Sequence, residues 1–197
     1  FVHADAESAL AEKLAVRISA ARLGNGLADG IEAGPLIHRQ ACTEIGLLVE
    51  QAVAEGAKIV AENRSYERDA TLREGSFFPP TLLIGVRDEM RVAQEEIFGP
   101  VIPLLRYTSV SDAVRRANDT PYGLASYVYG RDLAQCRAVA SAIEAGIVGV
   151  NEWRPLKAEI PFGGIKHSGI GAEGGEEGIR EFLETQVISM PKPTLTT

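Results

Sequence analysis

At 197 residues, with 45% hydrophobic and 24% charged side chains, the chain has the composition of a globular protein with one sizeable core. A formal charge of −7 with no Lys/Arg cluster argues against a nucleic-acid partner, and no apolar run approaches the roughly 18 residues of a membrane span. Two cysteines, Cys42 and Cys136, form neither a disulfide framework nor a metal-ligand spacing, so a reducing cytoplasm is the expected setting and no metal is expected.

The chain opens Phe1-Val2-His3-Ala4, without Met or a leader-like segment, and reads as a strand entered midway in something longer. From Asp5 to Leu23 a stripe at Leu10, Leu14 and Ile18 predicts a helix ended by Gly24-Asn25-Gly26. A second helix over about His38–Glu55 puts Ile45, Leu48, Val49 and Ala52 on one face, and Gly56 ends it. Lys58-Ile59-Val60-Ala61 reads as a strand, and residues 62–76 as a polar surface excursion. Thr81–Val86 reads as a buried strand, and Val101–Tyr107 as another in which Pro103 signals an edge or bulge. A short helix through Val110, Ala113, Val114 and Ala117 follows, then a strand over Ala125–Tyr129.

Asp132 with Gln135 three residues on predicts a helix N-terminus, with Gly146 closing that helix. A strand at Ile147–Val150, a last short helix over Gly178–Leu183 and a final strand at Gln186–Met190 complete the chain before a Pro-punctuated tail. Strands alternating with helices imply an α/β fold, an open and mainly parallel sheet covered by helices.

Several stretches carry possible chemistry. In Glu95-Glu96-Ile97-Phe98-Gly99-Pro100, two carboxylates stand beside an aromatic ring and a chain break. A carboxylate accepts hydrogen bonds from both ribose hydroxyls, and a ring lies against a flat heterocycle, so the stretch suits a nucleotide sugar. A surface turn with an acidic edge is the alternative. Gly169-Ile170-Gly171-Ala172-Glu173-Gly174 matches G-x-G-x-x-G, but a loop precedes it and Glu173, Glu176 and Glu177 would repel phosphate, so it is rejected as a dinucleotide fingerprint.

Cys136 falls on an apolar helical face, and Cys42 has no basic neighbour favouring a thiolate, so neither reads as a nucleophile. His3, His38 and His167 have no ligand spacing and read as structural or solvated. The segment from Asn151 to Gly164 follows the Ile147–Val150 strand at its C-terminal end, where open α/β sheets place ligands. Trp153 and Phe162 pointing inward would line an apolar pocket, and Arg154 or Lys157 could meet a carboxylate, the alternative being a solvated loop.

Three motifs occur in one order: Glu95 to Pro100, then Asn118-Asp119-Thr120-Pro121-Tyr122-Gly123-Leu124-Ala125, then Pro161-Phe162-Gly163-Gly164 leading to Ser168-Gly169 and Glu173-Gly174. Across essentially the whole chain, that order resembles the aldehyde dehydrogenase superfamily, and within it the succinate-semialdehyde type. The resemblance implies oxidation of an aldehyde to a carboxylate with NAD or NADP. A cysteine thiolate attacks the carbonyl, the hemithioacetal reduces the nicotinamide, and a glutamate-activated water hydrolyses the thioester.

Carried onto this chain, the resemblance implies that Glu96 binds the nicotinamide-ribose hydroxyls, Phe98 contacts the nicotinamide, Phe162 lines the aldehyde pocket and Glu173 takes a supporting part in water and proton handling. It implies a catalytic domain over residues 1–184, truncated at its N-terminal edge, and a self-associating strand and tail over 185–197. The family's catalytic Cys, general-base Glu, oxyanion-binding Asn and cofactor domain fall before Phe1, so these 197 residues alone are expected to be inactive. Two family positions also differ: a ribose-holding Lys is Glu44 here, and the Arg before Glu173 is Ala172. The Ser that holds a succinate-type carboxylate is not evident between Trp153 and Ile160, where Arg154 and Lys157 are the candidate substitutes.

Overall fold

Alternating apolar residues organise the first part of the chain. The computed structural model describes residues 1–191, so the end of the tail (192–197) lies outside the described residues. It builds the first unit, Phe1–Ala117, from β1 (Val2–His3), α1 (Glu7–Ala20), α2 (Arg39–Ala54), β2 (Lys58–Glu62), β3 (Thr81–Val86), α3 (Arg91–Gln94), β4 (Val101–Tyr107) and α4 (Val110–Asn118), whose last residue begins the second unit. The sheet order is β1-β4-β3-β2, with β1, β4 and β3 parallel and β2 antiparallel to β3.

Side chains of a strand point to opposite faces in turn, and β3 and β4 use both. Leu83, Val86 and Leu105 pack with Ile45, Val49 and Ala52 of α2. Leu82 and Leu104 pack on the other face with Ile18 of α1 and Val2 of β1. The expected coverage of both faces is therefore present. Of the α1 stripe, Ile18 is buried and Leu14 packs beside it, whereas Leu10 is exposed.

Pro103 lies in an interior strand, not at an edge. Its ladder partner on β3 is Leu83, next to an irregularity in register between Leu83 and Val86. β1 pairs with Arg106 and Tyr107 of β4.

The second unit begins at Asn118 and contains β5 (Tyr122–Gly123), β6 (Ala125–Val128), α5 (Leu133–Ala142), β7 (Ile147–Val150), β8 (Ile165–Lys166) and α6 (Gly175–Arg180). β6 and β7 pair in parallel, and β5 pairs antiparallel with β8. Asp132 caps α5 as expected, its carboxylate accepting from the N–H groups of Ala134 (2.9 Å) and Gln135 (3.1 Å).

Two helices end earlier than their glycines predict, by one device. α1 stops at Ala20 because the buried Asn63 amide donates to the carbonyls of Ile18 (2.8 Å) and Ala21 (2.9 Å), with Ala21 already extended. α5 stops at Ala142 because the Asn118 amide donates to its carbonyl (2.8 Å) and Ile143 turns extended. A remote amide satisfies the orphan carbonyls that a glycine turn would otherwise serve. The last helix occupies Gly175–Arg180 rather than Gly178–Leu183, and Gln186–Met190 forms no strand ladder among the described residues. That segment leaves Val187, Ile188 and Met190 exposed.

Candidate functional site

The Glu95–Pro100 stretch follows α3 and separates its first four residues into different roles. Arg91 grips Glu95 with two parallel hydrogen bonds, Nε to Oε1 at 2.6 Å and Nη2 to Oε2 at 2.9 Å. That bond to Arg91 holds the Glu95 carboxyl below the usual carboxylate range. Ile97 turns inward and packs against the core beneath α2. Glu96 and Phe98 turn outward; the Phe98 ring is 79% exposed, and Glu96 has no side-chain hydrogen bond or ion pair among the described residues. An uncommitted carboxylate and an uncovered ring, two residues apart on an anchored turn, fit a ribose and its flat heterocycle.

In the second unit, Phe162 and Glu173 are brought together by backbone pairing. Phe162 N–H donates to the Glu173 carbonyl at 2.7 Å, and Glu173 N–H returns a bond to Phe162 at 2.9 Å. They line a cavity of about 380 Å³ together with Ser168, Ile170, Glu181 and Phe182. Glu181 had no signal in the sequence. Its carboxylate lies over Gly171, which is at φ +75° and where a Cβ would come within 2.8 Å of it.

The loop carrying Phe162 is seated by close backbone approach. A Cβ on Gly146 would fall 1.7 Å from the Gly163 carbonyl oxygen, so only glycine fits there. The Ser168 hydroxyl accepts from the Gly123 N–H at 2.9 Å. The Lys166 ammonium reaches the carbonyls of Asn118 (2.7 Å) and Thr120 (3.2 Å) and the Glu144 carboxylate (2.7 Å). These contacts were not foreseen, although the Asn-Asp-Thr-Pro-Tyr-Gly and Gly-Gly-Ile-Lys-His-Ser motifs contain every residue of them but Gly146 and Glu144.

Trp153 does not point inward. It is 66% exposed, with the Arg154 guanidinium 4.1 Å over its ring, and the Arg154 N–H is held by Glu152 at 2.8 Å. That stacking satisfies the ring at the surface without burial. Lys157 is exposed and has no ion pair among the described residues. The loop does leave β7 at its C-terminal end: Asn151 sits at φ 51°, with its side chain bonded to Gly130 N–H (2.9 Å) and carbonyl (2.8 Å).

The glycine motif 169–174 lies between the two-residue β8 and the six-residue α6, whose first turn carries Glu176 and Glu177; this is not a phosphate cradle. Cys136 is buried. Burial pushes the Cys42 thiol up, and it donates toward the Phe77 carbonyl at 3.6 Å. His3 and His38 act as caps, accepting from Asp5 N–H (3.2 Å) and Ala41 N–H (3.0 Å). Among the described residues no helix is long and apolar enough to cross a membrane.

The sequence model of the aldehyde dehydrogenase family matches residues 1–188. The chain belongs to the aldehyde dehydrogenase family. It is 42% identical over 180 residues to a glutarate-semialdehyde dehydrogenase of Pseudomonas putida, covering 91% of this chain and 36% of that protein. It is 41% identical over 174 residues to the NADP(+) succinate-semialdehyde dehydrogenase of Escherichia coli K12, covering 88% and 35%. The fold matches a crystal structure of Staphylococcus aureus betaine aldehyde dehydrogenase in complex with NAD+, with a TM-score of 0.88, 34% identity and coverage of 98% and 39%. The chain thus spans little more than a third of the length of the aldehyde dehydrogenases it matches.

Proposed function

We propose that this chain is the C-terminal part of the catalytic domain of an NAD(P)-dependent semialdehyde dehydrogenase, with residues 1–184 in that domain and 185–197 serving assembly. The observation that carries the proposal is the division of labour in Glu95–Phe98. Glu95 is spent on Arg91 and Ile97 on the core, while Glu96 and Phe98 are presented to solvent. Glu96 would accept from the nicotinamide-ribose hydroxyls, and Phe98 would lie against the nicotinamide. The bound cofactor would supply the two-electron oxidant for the aldehyde.

Phe162 would form the apolar wall beside the aldehyde, and Glu173, fixed to Phe162 by paired backbone bonds, would take part in water and proton handling. Arg154 or Lys157 would favour an aldehyde bearing a second, anionic group. The glutarate- and succinate-semialdehyde relatives support that substrate class. If Arg154→Ala and Lys157→Ala in the complete enzyme both leave its preference for succinic semialdehyde over a neutral aldehyde unchanged, neither residue selects the substrate.

Neither cysteine of these 197 residues suits the nucleophile. Cys136 is buried, and the Cys42 thiol is pushed away from thiolate by burial. The 197-residue polypeptide is therefore expected to give no turnover with NAD and succinic semialdehyde; turnover above background would refute this. A second reading, a domain acting only in assembly, is favoured by the exposed Phe182, Leu183, Val187, Ile188 and Met190. Residues 186–190 would add as a strand to another copy. Light scattering tests it: a clean monomer at high concentration counts against it.

A further inference from the structure

We infer that Lys166 is a positioning residue that holds the Phe162 wall of the cavity in place through its ammonium group. All three of its donors have acceptors: the Asn118 carbonyl at 2.7 Å, the Thr120 carbonyl at 3.2 Å and Glu144 Oε2 at 2.7 Å. Its side chain is 24% exposed while the Glu144 partner is 55% exposed, so the ammonium is fixed by its three acceptors and not by burial.

The backbone adds an independent sign. Lys166 sits at φ 56°, in the left-handed region that a side-chain-bearing residue enters at a cost and keeps only where its surroundings hold it there. Two of the acceptors are carbonyls at and just after the end of α4, where a cation is favoured. The same Asn118 uses its side chain to bind the Ala142 carbonyl (2.8 Å) and the Glu144 N–H (2.9 Å), so Lys166 closes onto an already fixed corner. From there the chain runs back through Gly164 and Gly163, where Gly163 packs on Gly146, to Phe162. Forward, it passes Ser168, bound to Gly123, toward Glu173. The lysine is thus the polar pin midway between the two residues that form the cavity's paired wall.

The functional half of this inference rests on the dehydrogenase reading; the structural half does not. Amide hydrogen exchange on the 197-residue chain compares wild type with Lys166→Met, Lys166→Arg and Glu144→Gln. Loss of a charge-assisted tripod is expected to speed exchange across 161–175 by roughly tenfold in Lys166→Met, with β3 and β4 unchanged. Lys166→Arg, which keeps the charge, is expected to stay within about threefold of wild type, and Glu144→Gln to give a rise of about threefold.

An unchanged rate in Lys166→Met overturns the inference. Should that variant loosen all of 118–180, Glu144→Gln decides: a rise confined to 161–175 supports the pin, and a wild-type rate overturns it. In the complete enzyme carrying these residues, Lys166→Met is expected to raise the KM for aldehyde roughly tenfold while kcat falls less than about threefold, with partial recovery in Lys166→Arg. Faster exchange with an unchanged KM overturns the positioning role. A wild-type enzyme that turns over no aldehyde refutes the dehydrogenase reading instead, and the exchange result then decides the pin alone.

Discussion

The two units of the chain are held together by different physics. In Phe1–Ala117, side chains do the work: β3 and β4 alternate large apolar residues onto α2 on one face and α1 on the other, and Leu82, Leu83 and Met90 are wholly buried. In the unit beginning at Asn118, backbone meets backbone: Gly146 against Gly163, Gly123 against the Glu144 carbonyl, and Lys166 with Asn118 supplying the polar pins. The first kind of packing tolerates exchange of one apolar residue for another of similar size. The second has no spare volume at the contact and depends on single atoms.

The contrast can be broken by substitution. Leu83→Ala is expected to have the largest effect, lowering global stability by about 2–5 kcal/mol in denaturant titration, since it empties a fully buried site in the middle of β3. A loss well under 1 kcal/mol would show that the sheet does not carry the first unit. Gly146→Ala comes next, at about 1–3 kcal/mol, because its Cβ would meet backbone and not a side chain that can swing away. Its effect should be local. Exchange at Gly146 and Ile147, whose N–H groups donate to Gly123 and Leu124, is expected to rise while β3 and β4 stay protected. Loosening of β3 instead would erase the distinction between the two regions.

The same contrast explains what the sequence made legible. The strands over 81–86, 101–107 and 147–150, the α2 face and the Asp132 cap were readable because periodicity and capping are local patterns. The ends of α1 and α5 were not, because Asn63 and Asn118 reach them from 42 and 24 residues away, and no local glycine reports that. Pro103 suggested an edge or a bulge; it lies in an interior strand, beside the register shift between Leu83 and Val86 of β3. At the candidate site, Glu95 and Glu96 were visible as a pair, but nothing in the letters separates the one bound to Arg91 from the one left open. The outward Trp153 and the Lys166 tripod likewise depend on which neighbours the fold supplies.

The smallest stability effect is expected at Glu95. Arg91 lowers the folded-state pKa of this carboxyl, so the pair stabilises above the unfolded carboxylate value of about 4.3. That contribution fades as the pH falls through the lowered folded value. Glu95→Gln should therefore depress Tm slightly at pH 7, and less at high salt because the pair is exposed. At pH 3 the difference from wild type should shrink. A difference that grows on acidification would mean the pair does not act as drawn.

Those adjacent carboxylates also give the most direct test of the proposed cofactor wall. In the complete enzyme, the KM for NAD(P) is measured for Glu95→Gln and Glu96→Gln side by side. Loss of a charged acceptor for the ribose hydroxyls predicts a rise of roughly tenfold or more in Glu96→Gln, against a change within about twofold in Glu95→Gln. Equal changes in the two variants, or a larger one at Glu95, would contradict the assignment of Glu96 to the cofactor and of Glu95 to the turn that presents it.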